Sequence, residues 1–186
     1  MELRKGWRGR VGLWLWKLSN IPNLLRGLPA ILTGIVTGYT VPIGRLFATV
    51  TRADGSRVEL GLISTRVVTT AGVNYLVDAF QNTTELENFK YHGMGTGNTA
   101  EAAGDTALVT EVESRVAGTQ LEGASGNIYK TVATITATGA RAIVEHGLFS
   151  ASTAGTLWDR SVFAVINLAT SDAITFTYEC TFPAGG

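Results

Sequence analysis

The stretch FKYHGMGTGNTAEAAGDTALVTEVESR occupies residues 89–115 and sets the interpretation of the whole chain. It begins like a short strand, and Gly93, Gly95 and Gly97 then follow at every second position. Glycine has no Cβ, so the backbone there can adopt positive φ or approach another backbone closely. Residues 105–114 show helical spacing of their apolar side chains, and we expect a short helix there. The stretch therefore predicts a strand, a glycine-rich corner and a short helix.

The glycines of this stretch do not match a nucleotide-binding motif. The Rossmann fingerprint has the spacing G-x-G-x-x-G, and a P-loop needs Lys followed by Ser or Thr after its glycines. The segment GMGTG at residues 93–97 has neither feature, and the pattern around it is not βαβ. We therefore interpret the segment as a structural turn and expect no nucleotide cofactor.

On both sides of this stretch the chain alternates between apolar and polar residues, with turn signals such as Asp54-Gly55 between the runs. The expected strands are residues 46–51, 57–63, 114–120, 129–137, 142–150, 161–168 and 174–182. A helix is expected at residues 71–80, capped by Thr69 or Thr70. The pattern predicts a mainly β fold: an antiparallel β-sandwich or jelly-roll-like body with one or two short helices and an extended N-terminal arm.

The composition fits one domain of this kind plus an arm. The chain has 186 residues, of which 22 are glycine, more than the usual ~7%. Cys180 is the single cysteine, which excludes an intrachain disulfide framework, and we expect it to be a small buried apolar side chain. The one domain boundary we expect divides an arm at residues 1–44 from a body at residues 45–186.

Charge is distributed unevenly, although the formal net charge is zero. Residues 1–53 contain one acid, Glu2, and the bases Arg4, Lys5, Arg8, Arg10, Lys17, Arg26, Arg45 and Arg52. From Asp54 onward, acidic residues outnumber basic ones. A basic arm on an acidic body predicts docking onto an acidic surface, a neighbouring subunit included.

Residues 1–20 place apolar side chains at helical spacing, but Gly6, Gly9 and Gly12 each cost about 1 kcal/mol in a helix interior. We therefore expect an extended arm that becomes ordered on contact with a partner. Tryptophan beside arginine suits a protein groove first, a membrane interface second and nucleic acid third. The residues expected to contact the partner are Trp7, Arg8, Arg10, Trp14, Trp16, Ile31 and Ile35.

The apolar run at residues 28–44 is not typical of a signal or membrane-spanning segment. Pro29, Gly34, Gly38 and Pro42 interrupt it, and a bilayer span needs ~20 mostly apolar residues. An extended path across another subunit explains the run better.

No catalytic or metal-binding pattern stands out. His92 and His146 are the only histidines, and neither forms part of a zinc-binding spacing, so we expect core or interface positions. Adjacent Glu145 and His146 would point to opposite faces of a strand and could not easily share a metal. No G-x-S-x-G elbow occurs, and Cys180 lies in an alternating strand. We expect neither enzymatic activity nor a metal or other cofactor.

The opening stretch also carries a resemblance. Its residues Gly95-Thr96-Gly97-Asn98-Thr99, Gly104-Asp105-Thr106-Ala107-Leu108, Glu111 and Arg115 resemble a pattern found in small virion proteins of tailed bacteriophages, among them tail, fibre and capsid-decoration components. A later part of that pattern matches Glu145-His146-Gly147-Leu148-Phe149, Gly155-Thr156-Leu157, Arg160, Phe163 and residues 173–178. The resemblance extends from Arg57 to Phe182.

The resemblance implies a non-enzymatic virion structural protein, assembled in the host cytoplasm. Among virion roles we expect a capsid decoration (cement) protein, whose arm lies across seams between subunits of the major capsid protein. Apolar anchors such as Trp14, Ile31 and Ile35 would bury against these subunits, and a long arm adds avidity. The body would sit on the shell as a homo-oligomer, expected to be a homotrimer.

Other functions remain open. A tail, fibre or baseplate component, with tail proteins as its partners, is the first alternative. A membrane- or host-surface-binding protein is the alternative from another class, and a tail-associated hydrolase ranks last. Asp105 and Arg115, within the resembling stretch, are candidates for an intersubunit ion pair. A helix cap at Asp105 with a solvated Arg115 is an equally good interpretation.

Overall fold

We describe the protein from a computed structural model, which describes residues 3–26, 28, 32 and 41–183. The helices are α1 (Leu3–Leu25) and α2 (Thr70–Phe80), with a short 3-10 helix at Leu86–Asn88. The strands are β1 (Ile43–Thr51), β2 (Arg57–Val67), β3 (Tyr91–Gly95), β4 (Glu111–Ala117), β5 (Thr119–Glu122), β6 (Ile128–Thr136), β7 (Arg141–Phe149), β8 (Leu157–Leu168) and β9 (Ala173–Thr181).

The strands form two antiparallel sheets that pack together as a β-sandwich. Sheet A has the order β2-β1-β9-β6-β5, and sheet B has the order β4-β3-β7-β8. The prediction of a mainly β sandwich with few helices is confirmed. The Asp54-Gly55 turn joins β1 to β2, as predicted, and Gly55 has a φ of 82°.

Strict alternation along the central strands builds the core. In β1 and β9 every second side chain is buried, and the buried set of each strand faces sheet B. The core formed between the sheets includes Leu46, Ala48, Val50, Ile135, Met94, Leu148, Phe163, Ile174, Phe176, Tyr178 and Cys180. Cys180 is fully buried, which confirms the prediction from its position in an alternating strand.

The two open sides of the sandwich are closed differently. At one side the chain itself passes from sheet B to sheet A, because β4 leads directly into β5 through Gly118. A Cβ at Gly118 would lie 2.9 Å from the His92 ring, so a larger residue does not fit at this crossing. At the other side the edge strands β2 and β8 meet, and α1 packs against both of them.

Two predictions about helices have opposite outcomes. The helix expected at residues 71–80 is confirmed as α2, and Thr69 caps it by accepting a 3.0 Å hydrogen bond from the Gly72 amide. The short helix expected at residues 105–114 is wrong. Residues 111–117 form strand β4, which pairs with β3 at the edge of sheet B. Pairing with a neighbouring strand overrides the weak local helical spacing.

The prediction of an extended arm is wrong for residues 3–25, which form α1 despite three glycines and Pro22. Packing of one helix face supplies most of the stability of helices in proteins, and this compensates for poor propensity. Strand β1 starts at Ile43, two residues before the expected boundary between arm and body, and that boundary stays a prediction.

Candidate functional site

A buried ion pair lies on the outer face of sheet B. Glu145 on β7 and Arg160 on β8 are both buried, and the Glu145 carboxylate accepts 2.9 and 2.8 Å bonds from Arg160 Nε and Nη2. The same carboxylate accepts hydrogen bonds from the backbone amides of Gly97, Val109 and Thr110 at 3.0, 3.1 and 2.8 Å. Both carboxylate oxygens are therefore fully engaged within the protein.

The bonds to Glu145 hold residues 96–110, which we name the covering loop, against sheet B. Arg160 contributes two more contacts to this loop, to Asp105 Oδ2 at 2.9 Å and to the Thr99 carbonyl at 3.0 Å. The glycines make the close approach possible: a Cβ at Gly97 would lie 2.7 Å from Glu145 Oε1. The alternating glycines therefore admit a buried carboxylate beneath the loop, and their function is structural.

A second ion pair, between Arg115 and Glu111, lies just after the C-terminal end of the covering loop. Arg115 binds the Glu111 carboxylate through Nε and Nη2 at 2.6 and 2.9 Å, and its Cζ lies 3.3 Å from the centre of the Phe149 ring. Leu108 from the covering loop packs with Phe149 and Leu157 in a small apolar cluster. The resembling residues therefore contribute to one supporting structure on sheet B.

The structure gives Asp105 and Arg115 separate partners within the chain. Asp105 binds Arg160 and accepts a 2.9 Å bond from the Ala102 amide. Arg115 has a side chain only 8% exposed, so the interpretation of a solvated Arg115 is wrong. An intersubunit role for either residue stays a prediction.

A second polar cluster is buried between the sheets near β8. Asp159 is fully buried and accepts a 2.9 Å bond from Ser161 Oγ, while Tyr178 Oη lies 3.4 Å from its other oxygen. Burial raises the pKa of Asp159 to about 6 and the pKa of Cys180 to about 12. Trp158 Nε1 donates to Tyr178 at 3.0 Å. The groups are all buried, and their contacts hold β8 to β9.

The two histidines form a buried pair in the core. His92 Nδ1 lies 3.0 Å from His146 Nε2, and His92 Nε2 lies 3.3 Å from Thr131 Oγ1. Burial lowers the pKa of His92 to about 3, and burial together with His92 lowers the pKa of His146 well below 6.5. Both histidines are buried in the core, which is one of the two positions expected for them. Within the described ranges, no three His, Cys, Asp or Glu side chains gather to hold a metal ion.

The helix α1 is fixed to the body by polar contacts that join both edge strands. Asn20 is buried; its Nδ2 donates to the Ile63 carbonyl of β2 at 2.7 Å, and its Oδ1 accepts from the Ala164 amide of β8 at 2.8 Å. Trp16 Nε1 donates to the Val165 carbonyl at 2.9 Å. The side chain of Asn20 therefore satisfies one backbone group of each exposed edge.

A charged cluster secures the C-terminal end of α1. Arg66 on β2 donates to the Asn23 carbonyl at 2.5 Å and to the Val162 carbonyl of β8 at 3.0 Å. Arg66 also pairs with Glu101 of the covering loop, and Arg26 binds the same carboxylate at 3.2 Å. The cluster links α1, both edge strands and the covering loop.

Beside the docked side, α1 carries exposed apolar side chains, among them Leu15 at 54%. Trp14, Leu18, Ile21 and Leu25 are 61%, 42%, 45% and 53% exposed, and we name these four residues the free stripe. Trp14, Leu18 and Ile21 line a groove of about 410 Å³ between α1 and residues 60–62 of β2. The role of Trp14 as an anchor for a partner stays a prediction, whereas Trp16 docks the helix to β8.

The remaining arm residues are placed only in part. The backbones of Trp7, Arg8 and Arg10 belong to α1, but their side chains, and the whole of Ile31 and Ile35, lie outside the described residues. The docking contacts of α1 that the described side chains make come from residues 13–26. Among the helices described, none is long and apolar enough to cross a membrane.

Asn20 and Arg66 were not identified from the sequence. A sequence signal does exist, because Leu13, Trp16, Asn20 and Leu24 recur at helical spacing. Asn20 hides this signal, since an amide side chain within an apolar stripe is expected to face solvent.

Comparison with protein-family models, with curated proteins and with solved structures finds no match.

Proposed function

We propose that the chain is a non-enzymatic bacteriophage virion structural protein that acts as a capsid decoration (cement) protein. The observation that carries this proposal is the fixed position of α1 on the sandwich. Asn20, Trp16 and Arg66 hold the helix to both edge strands, and the basic residues of its first turns come earlier in the sequence of the same helix. A rigid body with a positively charged helical end is suited to attach to an assembled acidic surface.

The use of the resembling residues supports a structural role. Glu145, Arg160, Asp105, Glu111 and Arg115 all bind one another or the backbone of this chain. A catalytic carboxylate needs free oxygens directed at a substrate, and Glu145 has none. The resemblance to virion proteins therefore rests on residues that build a scaffold.

The proposed partner is the major capsid protein, and contact is made through the first turns of α1. The residues expected there are Arg4, Lys5, Arg8 and Arg10, which have no acidic neighbour in the sequence except Glu2. Charge complementarity of this kind increases the association rate and weakens as salt rises. Binding to shells should therefore fall between low salt and about 0.5 M NaCl.

The test measures binding of the full chain to capsid shells freed of accessory proteins. The double variant Arg8→Glu/Arg10→Glu should lose most of its binding, whereas Arg57→Glu should bind as the wild type does. Arg57 is a matched control because its side chain is 65% exposed and lies on the body. Absence of binding by the wild type would overturn the decoration role. Binding to isolated tails instead would assign the alternative tail function.

Point substitutions are preferable to deletion of residues 1–44. That deletion removes the first two residues of β1 and uncovers the edges of β2 and β8. Loss of binding by a deleted chain would therefore also reflect damage to the sandwich.

A further inference from the structure

A small pocket lies where α2, the 3-10 helix and the strands β6, β8 and β9 meet, and we name it the aromatic pocket. Its volume is about 160 Å³, and it is lined by Leu76, Leu86, Phe89, Tyr129, Trp158 and Phe182. Typical small-molecule pockets have at least ~300 Å³, whereas an engineered cavity of about 150 Å³ binds one benzene molecule. The aromatic pocket therefore has room for one compact group of a ligand.

The rings of the aromatic pocket form a curved wall. Phe89 and Trp158 are both buried, and their ring centres lie 5.0 Å apart at an angle of 49°. The ring centres of Trp158 and Phe182 lie 6.3 Å apart at an angle of 47°. Rings at such angles are not stacked in parallel on one another. Since the face of an aromatic ring carries negative charge, a concave set of rings attracts a cation.

The polar atoms of the lining side chains are already bound within the chain. Tyr129 Oη donates to the Phe89 carbonyl and accepts from Gln120 Nε2 at 3.1 Å, and Trp158 Nε1 donates to Tyr178 Oη at 3.0 Å. An N–H group that entered the pocket would lose its bonds to water without a replacement. The ammonium of a lysine has three such groups, whereas a quaternary ammonium has none. The lining therefore favours a fully methylated cation over a primary one.

The charges near the aromatic pocket favour a cation over a neutral apolar group. Three exposed carboxylates adjoin lining residues in the chain or in the strand register: Glu85, Glu87 and Glu122. Two lysines also adjoin the lining, since Lys90 follows Phe89 and Lys130 follows Tyr129. Lys130 lies on the outer face of sheet A, with its Nζ 3.9 Å from Glu179. The exposed carboxylates thus outnumber the remaining lysine, and the local potential is negative.

We propose that the aromatic pocket binds a quaternary ammonium group, the trimethylammonium of choline or of a trimethylated lysine. The methyl groups contact the rings of Phe89, Trp158 and Phe182, and the ring faces and nearby carboxylates stabilise the positive charge. This ligand site belongs to the body of the protein and does not depend on the capsid role proposed above. Its test uses the full chain without capsids, so either proposal can fail alone.

Titration with choline chloride, followed by nuclear magnetic resonance, tests the proposal. The indole N–H signal of Trp158 should shift and reach saturation, whereas the signal of Trp16, which docks α1, should not shift. The uncharged isostere of choline, in which carbon replaces nitrogen, should bind at least about tenfold more weakly. Ethanolamine, which has N–H groups in place of the methyl groups, should also bind at least about tenfold more weakly.

Two pairs of variants locate the site. Phe182→Ala removes one wall of the pocket and should weaken choline binding about tenfold. The matched control is Phe80→Ala, the same change at a ring that is 81% exposed and outside the lining, and it should bind as the wild type does. Leu86→Lys places a like charge at the pocket and should abolish binding, whereas Leu121→Lys on β5 should not. Circular dichroism shows whether each variant keeps the β-sandwich.

Three results would overturn the inference. A Trp158 signal that does not shift with choline would exclude the site. Equal binding of choline and its uncharged isostere would show a plain apolar pocket without preference for a cation. Unchanged choline binding by a folded Phe182→Ala would place the site elsewhere. The comparison of choline with its isostere uses the wild type, so it remains decisive if a variant does not fold.

A second titration distinguishes the two sources of the cation. Phosphocholine that binds more tightly than choline would assign the pocket to a choline head group. A trimethyl-lysine peptide that binds more tightly than choline, while its unmethylated form does not bind, would assign the pocket to a methylated protein. Either result supports recognition of the trimethylammonium group.

Discussion

Substitution of Glu145 by glutamine tests whether the covering loop depends on one buried carboxylate. Glutamine keeps the shape and one oxygen, which can still accept from the amides of Gly97 and Thr110. Its amide nitrogen replaces the oxygen that accepts from the Val109 amide and from Arg160. The N–H groups of the glutamine would then point at the N–H groups of these two residues, and no hydrogen bond could form. The substitution therefore leaves a buried guanidinium without its main partner.

Removal of one partner from a buried ion pair costs about 3–5 kcal/mol. Glu145 and Arg160 have side chains 0% and 1% exposed, so solvent does not replace the lost contact. We expect the free energy of unfolding of Glu145→Gln to fall by about 3–5 kcal/mol. A Glu179→Gln control should lose less than about 1 kcal/mol, because its partner Arg45 has a side chain 38% exposed.

Urea denaturation followed by circular dichroism measures these differences. The amides of Gly97 and Thr110 should also exchange hydrogen faster in Glu145→Gln, since the covering loop is released. The substitution Arg160→Met should cost less in the Glu145→Gln background than in the wild type, because the partner charge is already lost. A loss below about 1 kcal/mol for Glu145→Gln would refute the idea that this carboxylate holds the loop.

Three further predictions concern other parts of the fold. Asn20→Ala should lower the free energy of unfolding by roughly 2–4 kcal/mol, since a buried amide and a carbonyl lose their partner; a change below 0.5 kcal/mol in urea denaturation would contradict the docking of α1. Gly97→Ala should cost about 1–3 kcal/mol because its Cβ meets Val109 and the Glu145 carboxylate, whereas Gly104→Ala, with open space, should stay within about 0.5 kcal/mol in the same assay. Both buried histidines have lowered pKa values when folded, to about 3 for His92, so their contribution to the free energy of unfolding is complete above pH 6.5 and is lost as the pH falls below it, at up to ~1.4 kcal/mol per pH unit for each histidine. Asp159, whose pKa is raised to about 6, gains stability as the pH falls below 6 and therefore offsets the loss from one histidine. Urea midpoints that do not fall between pH 6.5 and 5 would contradict burial of the neutral pair.

The β-sandwich could be predicted because its signals are local. Alternation along β6 and β9, the turn at Asp54-Gly55 and the threonine cap of α2 each depend on a few neighbouring residues. Cys180 was assigned to the core by the same alternation. Features of this kind are read correctly from one sequence because burial on one sheet face imposes a period of two.

The covering loop could not be predicted, because its conformation depends on residues far away in the chain. The helical spacing of residues 105–114 is real, but the amides of Val109 and Thr110 bind Glu145, more than thirty residues later. No local sequence pattern indicates that the Glu145 carboxylate of β7 accepts the hydrogen bonds that these two amides would donate in a helix. The resemblance marked Glu145 and Arg160 but not their pairing.

The docking of α1 could not be predicted from the sequence for a related reason. Glycines and Pro22 argue against a helix on propensity alone, and the edge strands that stabilise it are β2 and β8. The sequence indicated the apolar residues of the arm but assigned Trp14 and Trp16 the same role. Only the structure separates the docked side from the free stripe.

The position of α1 also determines the order in which the fold can be completed. Asn20 bonds to Ile63 and Ala164, which follow it by 43 and 144 residues. At 5–20 residues per second, synthesis of the longer interval takes roughly 7–30 s. During that time the helix has no β8 to dock against, and both of its apolar sides are exposed to other nascent chains. Docking of α1 therefore closes a loop of 144 residues, one of the longest in the fold, and contacts between residues so far apart in the chain form slowly.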